Sequence, residues 1–183
     1  MKPYVIAEMG VNFYDTAKKL NINPLEAAKM YIDAAAEAGI DCAKFQSYKA
    51  GTIVSKNSPA YWDLTKEPTK TQYELFLKHD SFGECEYREL CKYTHDKGMD
   101  FTSTPFDYAS ADYLYDMVDF YKISSSDLSN LPFIHHIGAK GKPVFVSVGA
   151  AYLSECDEAI RALQESGCKA VSYTHLTLPT NSL

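Results

Sequence analysis

Short apolar runs that each end on a charged or hydroxyl-bearing residue recur along this chain, and that repetition restricts its possible folds more than any other feature. Tyr4-Val5-Ile6-Ala7 ends at Glu8, and Cys42-Ala43 leads into Lys44-Phe45-Gln46. Asp100-Phe101-Thr102 ends at Ser103-Thr104-Pro105, and Val144-Phe145-Val146 ends at Ser147. The clearest case is Phe120-Tyr121-Lys122-Ile123-Ser124-Ser125-Ser126-Asp127, where an apolar run delivers a lysine, three hydroxyls and a carboxylate within a few residues. Between these runs lie stretches of helical period, such as Pro24 to Ala38 with Leu25, Ala28, Ile32, Ala35 and Ala36, and Ser154 to Gln164 with Ala159, Ile160 and Leu163. Strand, polar exit, helix, next strand is the pattern of parallel βα units, each strand handing polar groups to one rim. It predicts strands at about 4–9, 41–47, 100–104, 119–124, 143–148 and 168–173. A barrel of eight such units usually takes roughly 250 residues, so a chain of 183 is short for its own pattern.

The 18 basic and 24 acidic side chains leave a formal charge of -6, which gives no general attraction to nucleic acid or to an anionic membrane. An anionic substrate must therefore be held locally. The five cysteines, Cys42, Cys85, Cys91, Cys156 and Cys168, show no C-x-x-C spacing and suit reduced thiols in a cytoplasmic protein better than a disulfide framework or a zinc site. Met1-Lys2-Pro3 enters a strand at once, without the pattern of a signal peptide, and no run approaches the length of a membrane span. The stretch from Lys49 to Phe82 breaks the rhythm with turn signals around Trp62 and Tyr73, either as a lid or substrate wall or as an inert excursion. Val171 to Leu183 offers neither alternation nor a helix, and VSYTHLTLPT resembles the translation of a sequencing-adapter sequence. That segment is expected to be a non-native tail after about Ala170.

Lys44 and Lys122, both at strand ends, have the charge to neutralise a phosphate or carboxylate, with the hydroxyls of Thr104, Ser125 and Ser147 donating to its oxygens. A buried lysine of lowered pKa is alternatively a Schiff-base nucleophile. Glu8 and Asp127 are the acid and base candidates, because a carboxylate at the end of an apolar strand is partly desolvated. The competing roles are a structural ion pair for Glu8 and a helix cap for Asp127. Asn12 either positions a ligand or makes a turn, and one of the three serines from Ser124 to Ser126 points away from the site. His79, His95, His135 and His136 fall in predicted helices or at their ends, away from the rim, and are not expected to bind metal. Tyr87, Tyr93, Tyr108, Tyr113 and Tyr115 are spaced for helix-face packing.

These residues fall into five ordered motifs: IAEMGVN at Ile6 to Asn12, AAAEAGIDCAKFQSYKA at Ala34 to Ala50, STPFD at Ser103 to Asp107, YKISSSDLSNLP at Tyr121 to Pro132, and GKPVFVSVGA at Gly141 to Ala150. Together they resemble the N-acetylneuraminate (sialic acid) synthases, which condense phosphoenolpyruvate with an N-acylated hexosamine. The resemblance runs from about Tyr4 to Ala170 and implies an α/β fold, a (β/α)8 TIM-type barrel of which about six of eight strands are present here. It implies that Lys44, Thr104, Lys122, Ser125 and Ser147 bind phosphoenolpyruvate, that Glu8 and Asp127 are the acid/base carboxylates, and that Asn12 and Gln46 contact substrate. It further implies a divalent metal, Mn or Mg, that polarises the sugar aldehyde, a C-terminal antifreeze-like domain, and a domain-swapped homodimer for the complete protein. The family commonly has glutamate where this chain has Asp127. Its first loop often continues N-H-x-G, whereas Asn12 is followed here by Phe13-Tyr14-Asp15.

The family's metal-binding histidines belong to later strands, so no metal is expected to bind this chain. It is expected to be inactive by itself and, with strands missing, prone to aggregate. Two other readings stay open: a Schiff-base aldolase using Lys122, and a non-catalytic remnant.

Overall fold

The computed structural model of the chain describes residues 2–149, 151–168 and 170–174. They fall into two units, Met1–Val118 and Asp119–Leu183. In the first, β1 (Ile6–Gly10), β2 (Cys42–Ser47) and β3 (Asp100–Pro105) form a parallel sheet in the order β1-β2-β3. Helices α1 (Phe13–Leu20) and α2 (Pro24–Glu37) connect β1 to β2. Helices α3 (Ala50–Ile53), α4 (Gln72–Leu77) and α5 (Glu84–Asp96) connect β2 to β3, and α6 (Tyr108–Tyr113) follows β3.

Local chemistry sets these boundaries. The Asn23 side chain accepts the Leu25 N–H at 2.8 Å with Pro24 in the first turn, which fixes the start of α2 and leaves Ala27, Ala28, Ile32 and Ala35 on its buried face. Alternation along β2 sends Ala43 and Phe45 to one side of the sheet and Lys44 and Gln46 to the other. Phe45 lies 5.8 Å from Phe101 and 5.9 Å from Phe13, ring centre to ring centre, and all three are fully buried. Each such side chain contributes about 1.5–3 kcal/mol, so the helix-covered face carries the packing and the opposite face is free for polar groups. Pairing of β1 with β2 runs Glu8 to Lys44 and then slips to Gly10 opposite Phe45. Gly10 has φ +55°, a left-handed conformation that glycine adopts without a side-chain clash.

The excursion between β2 and α5 is braced rather than structureless. Pro59 bridges Thr71, Ala60 N–H donates to Lys70 O at 3.0 Å, and the Trp62 indole N–H donates to Glu67 O and Thr69 O at 3.1 and 3.2 Å. Its far end is pinned by Tyr14 of α1, whose hydroxyl accepts from Phe82 N–H and Ser81 Oγ, both at 3.0 Å.

The second unit runs β4 (Tyr121–Ile123), a 3-10 turn (Ser125–Asp127), α7 (Leu131–Gly138), β5 (Val144–Ser147), α8 (Leu153–Glu165) and β6 (Val171–Thr174). Its sheet is parallel in the order β4-β5-β6. Tyr121, Ile123, Val144 and Val146 are buried on one face, and Lys122, Phe145 and Ser147 occupy the other.

All six strands therefore lie within a few residues of their expected positions. What the described residues form is two three-stranded parallel sheets, one per unit, rather than a closed barrel. Val171–Thr174 overlaps the strand expected at about 168–173 and pairs with Val144–Ser147. The rest of the segment expected to be a tail, 175–183, lies outside the described residues. His95, His135 and His136 are helical, and His79 lies two residues past the end of α4, its ring tilted against Tyr14 at 5.6 Å and 3.6 Å from Asp15. Tyr87 is buried with Tyr113 stacked on it, while Tyr108 and Tyr115 are exposed rather than packed in a helix face.

Candidate active site

Each unit carries one lysine, hydroxyls and a carboxylate on its strands or in the turn that follows them, with Glu8, Lys44 and Lys122 inside their strands rather than at the ends. In the first unit, Glu8 and Lys44 are register partners on adjacent strands, and their side chains form a direct ion pair. Lys44 is 7% exposed, while the Glu8 side chain is 51% exposed, so the pair has a buried cation and a carboxylate reaching solvent. The ammonium also donates to Thr104 Oγ1 at 3.3 Å, and Thr104 is buried. Gln46, two residues on from Lys44, shares its face. Its carboxamide oxygen lies 3.4 Å, and a Glu8 oxygen 3.6 Å, from the point where a Cβ on Gly10 would stand. Gly10 thus lets both side chains close over the bulge. Asn12 is exposed at the turn into α1, with its N–H returning to Met9 O at 3.2 Å and no side-chain cap bond.

In the second unit, Lys122 donates to Ser147 Oγ at 2.6 Å and to Ile123 O at 2.9 Å. Burial pushes its ammonium down to a pKa of about 8. Ser125 opens the turn after β4, and its hydroxyl lies 3.6 Å from the point where a Cβ on Gly149 would stand. Glycine there keeps the approach to Ser125 open. Ser124 and Ser126 hydroxyls bond each other at 2.9 Å, so these two are occupied locally. Asp127 closes the turn. Burial pushes its carboxyl up, against hydrogen bonds from Asn130 and Ser126 that pull it down, and Oδ2 is buried with no hydrogen-bond partner among the described residues. It is not the cap of α7, since Asn130 holds that position.

Two contributors escaped the reading of the sequence. Thr102 is fully buried and pairs in register with Lys44, on the same face as Thr104; the two-residue spacing in Thr102-Ser103-Thr104 was the available signal. Ser103 faces the other way and meets Ser47 at 2.6 Å. Asp107, which ends the STPFD motif, accepts Ser110 N–H at 2.7 Å on one oxygen and Lys49 N–H at 3.2 Å and Thr52 Oγ1 at 2.5 Å on the other. It ties the exit of β3 to the start of the long excursion. Among the described residues no three of histidine, cysteine, aspartate and glutamate come together to hold a metal ion. They do not by themselves fit the divalent metal that the resemblance implies. No helix among them is long and apolar enough to cross a membrane.

Comparison with known proteins adds a consistent set of likenesses. The model of the NeuB family matches residues 31–179. The chain is 35% identical over 163 residues to the N,N'-diacetyllegionaminic acid synthase of Legionella pneumophila, covering 87% of this chain and 43% of that protein. It is 30% identical over 147 residues to the human N-acetylneuraminate-9-phosphate synthase, covering 80% of this chain and 39% of the other. The crystal structure of the N-acetylneuraminic acid (sialic acid) synthetase of Leptospira borgpetersenii superposes with a TM-score of 0.77 at 26% identity, over 97% of this chain and 56% of that one. A truncated 3-deoxy-D-arabino-heptulosonate 7-phosphate synthase of Thermotoga maritima, at 13% identity and a TM-score of 0.60, shares the fold alone. The chain spans less than half the length of these two curated relatives.

Proposed function

The chain belongs to the NeuB family, and from that premise we propose that its residues serve the condensation of phosphoenolpyruvate with an N-acetylmannosamine-like sugar to a nine-carbon 2-keto acid and phosphate. The observation that carries this reading is the repeated pairing of a strand lysine, buried at Lys44 and half-buried at Lys122, with a hydroxyl on a neighbouring strand, Lys44 with Thr104 and Lys122 with Ser147. Such groups hold phosphate and carboxylate oxygens by charge-assisted hydrogen bonds. Ser125 adds a third hydroxyl, and Gln46 and Asn12 are assigned to the substrate side.

In the reaction, the methylene carbon of phosphoenolpyruvate attacks the aldehyde carbon of the open-chain sugar, forming the carbon–carbon bond as the enol double bond is lost. Water then adds at the cationic carbon and gives up a proton. The resulting hemiketal phosphate loses inorganic phosphate by carbon–oxygen cleavage as its hydroxyl proton leaves and the ketone forms. Asp127 suits the proton-handling step, because a carboxyl pushed up by burial exchanges protons nearer neutral pH. Glu8 is the second candidate. Its ion pair with Lys44 keeps it anionic, as a base must be. The divalent metal, the antifreeze-like domain and the swapped homodimer belong to the same proposal for the complete protein. The relatives named as N,N'-diacetyllegionaminic acid synthase and N-acetylneuraminate-9-phosphate synthase differ in product, so the acceptor is proposed only as an N-acylated amino sugar.

Calorimetric titration of the chain with phosphoenolpyruvate tests this reading. Binding that disappears in Lys122→Ala is expected, and a wild-type chain that binds none overturns it. A second reading is favoured by the lowered pKa of Lys122, which makes its amine a nucleophile near neutral pH. Borohydride trapping of a keto acid on Lys122 would establish that Schiff-base aldolase chemistry instead.

A further inference from the structure

The two lysines differ in what faces them. Lys44 has a carboxylate counter-ion in Glu8. Lys122 is directed at a hydroxyl and a backbone carbonyl, and among the described residues no carboxylate pairs with it. The elements beside it offer little charge: β5 presents Phe145 and Ser147, and β6 (Val171–Thr174) contains no ionisable residue except Tyr173, which lies on the opposite face. The turn after β4 carries Asp127. A largely buried ammonium held only by neutral acceptors is poorly solvated and lacks compensating charge, so it is both an anion site and a group that sheds its proton readily.

We propose that Lys122 with Ser147 is a proton-linked anion receptor: the Lys122 amine takes up a proton as a phosphate- or carboxylate-bearing ligand binds beside it, and Ser147 positions the amine. The inference rests on the reading that Lys122 holds an anionic end of phosphoenolpyruvate, and adds that the ligand brings a proton with it. The free-state pKa of about 8 sets the range in which this is visible. An arriving anion restores the lost compensation and moves the amine back toward an ordinary lysine.

The test is potentiometric. The full chain, in unbuffered salt solution held at a series of pH values, is titrated with sulfate, which has no titratable proton in this range, and in parallel with phosphoenolpyruvate. More than about half a proton taken up per bound anion at roughly pH 8.5, and close to none at roughly pH 6.5, is expected. Anion affinity should fall about tenfold per pH unit well above pH 8. Lys122→Arg, whose guanidinium does not titrate, should abolish the uptake and flatten the affinity profile, and Asp127→Asn should leave the uptake in place. Binding without uptake in the wild-type chain overturns the proton linkage and leaves the functional reading standing. No binding of either anion overturns both. Uptake that survives Lys122→Arg, or is lost in Asp127→Asn, assigns the proton to another group and likewise overturns the inference. Should Lys122→Arg fail to fold, the wild-type pH profile alone decides, since absence of uptake near pH 8.5 is fatal to it.

Discussion

Lys44 sits on the central strand of one sheet and Lys122 on an edge strand of the other, and Lys44 has a carboxylate counter-ion while among the described residues Lys122 has none. Lys44 is nearly inaccessible and carries its counter-ion, so its charge is already spoken for and an incoming anion must compete with Glu8. Among the described residues Lys122 donates to Ser147 Oγ and Ile123 O and has no carboxylate beside it, and burial lowers its pKa. A partly buried cation without a counter-ion is costly to maintain. Its presence on β4 supports the proposed binding role, whereas Lys44 taken by itself fits a structural ion pair almost as well.

The contrast is exposed most strongly by removing each charge in turn. Lys122→Met should weaken phosphoenolpyruvate binding about 100-fold, and Lys44→Met about tenfold, because the latter site loses a cation that was already compensated. Equal losses in calorimetry would erase the distinction. Glu8→Gln frees Lys44 and should tighten anion binding severalfold while depressing turnover in the complete protein, and a drop in affinity would show that Glu8 supports the ligand rather than competing with it.

A subtler difference concerns pH. The folded-state pKa of Lys122 lies below the ordinary lysine value of 10.5, so between about 8 and 10.5 the unfolded chain binds more protons than the folded one. The stability contribution of this group therefore rises with pH across that window, and its penalty is fully present below pH 8. Unfolding in urea should show this rise in the wild-type chain relative to Lys122→Met, and parallel pH curves would contradict the lowered pKa. The smallest effect is expected from Gly149→Ala. A methyl there makes ordinary contact with Ser125 at 3.6 Å, so the melting temperature should hold while anion affinity drops a few-fold.

The strands and the site lysines were legible because a residue such as Lys122 or Lys44 inside an apolar run has no packing role to explain it. Register was also implicit, since alternation fixes which of Phe45 and Gln46 faces the helices. Strand β6 was legible only in outline: a strand was expected at about 168–173, but Ser172 and Tyr173 are exposed and Val171 only half-buried, so its end and its pairing with β5 leave no burial pattern in the sequence. Nor was the Glu8–Lys44 pair, because the slip at Gly10 that sets the geometry depends on backbone conformation. The bracing of the long excursion by Trp62 and Tyr14 was equally hidden, being made of contacts distant in sequence or directed at backbone atoms.

Asp107 gives two loops a single point of failure. The amides of Lys49 and Ser110 are 61 positions apart in the sequence yet end on the same carboxylate, which also holds the Thr52 hydroxyl. When that carboxylate lets go, the exit of β2 and the exit of β3 lose their anchor in the same event. Hydrogen exchange at the two amides should then proceed as one local opening, so that any ligand contact that quiets one loop also slows the other.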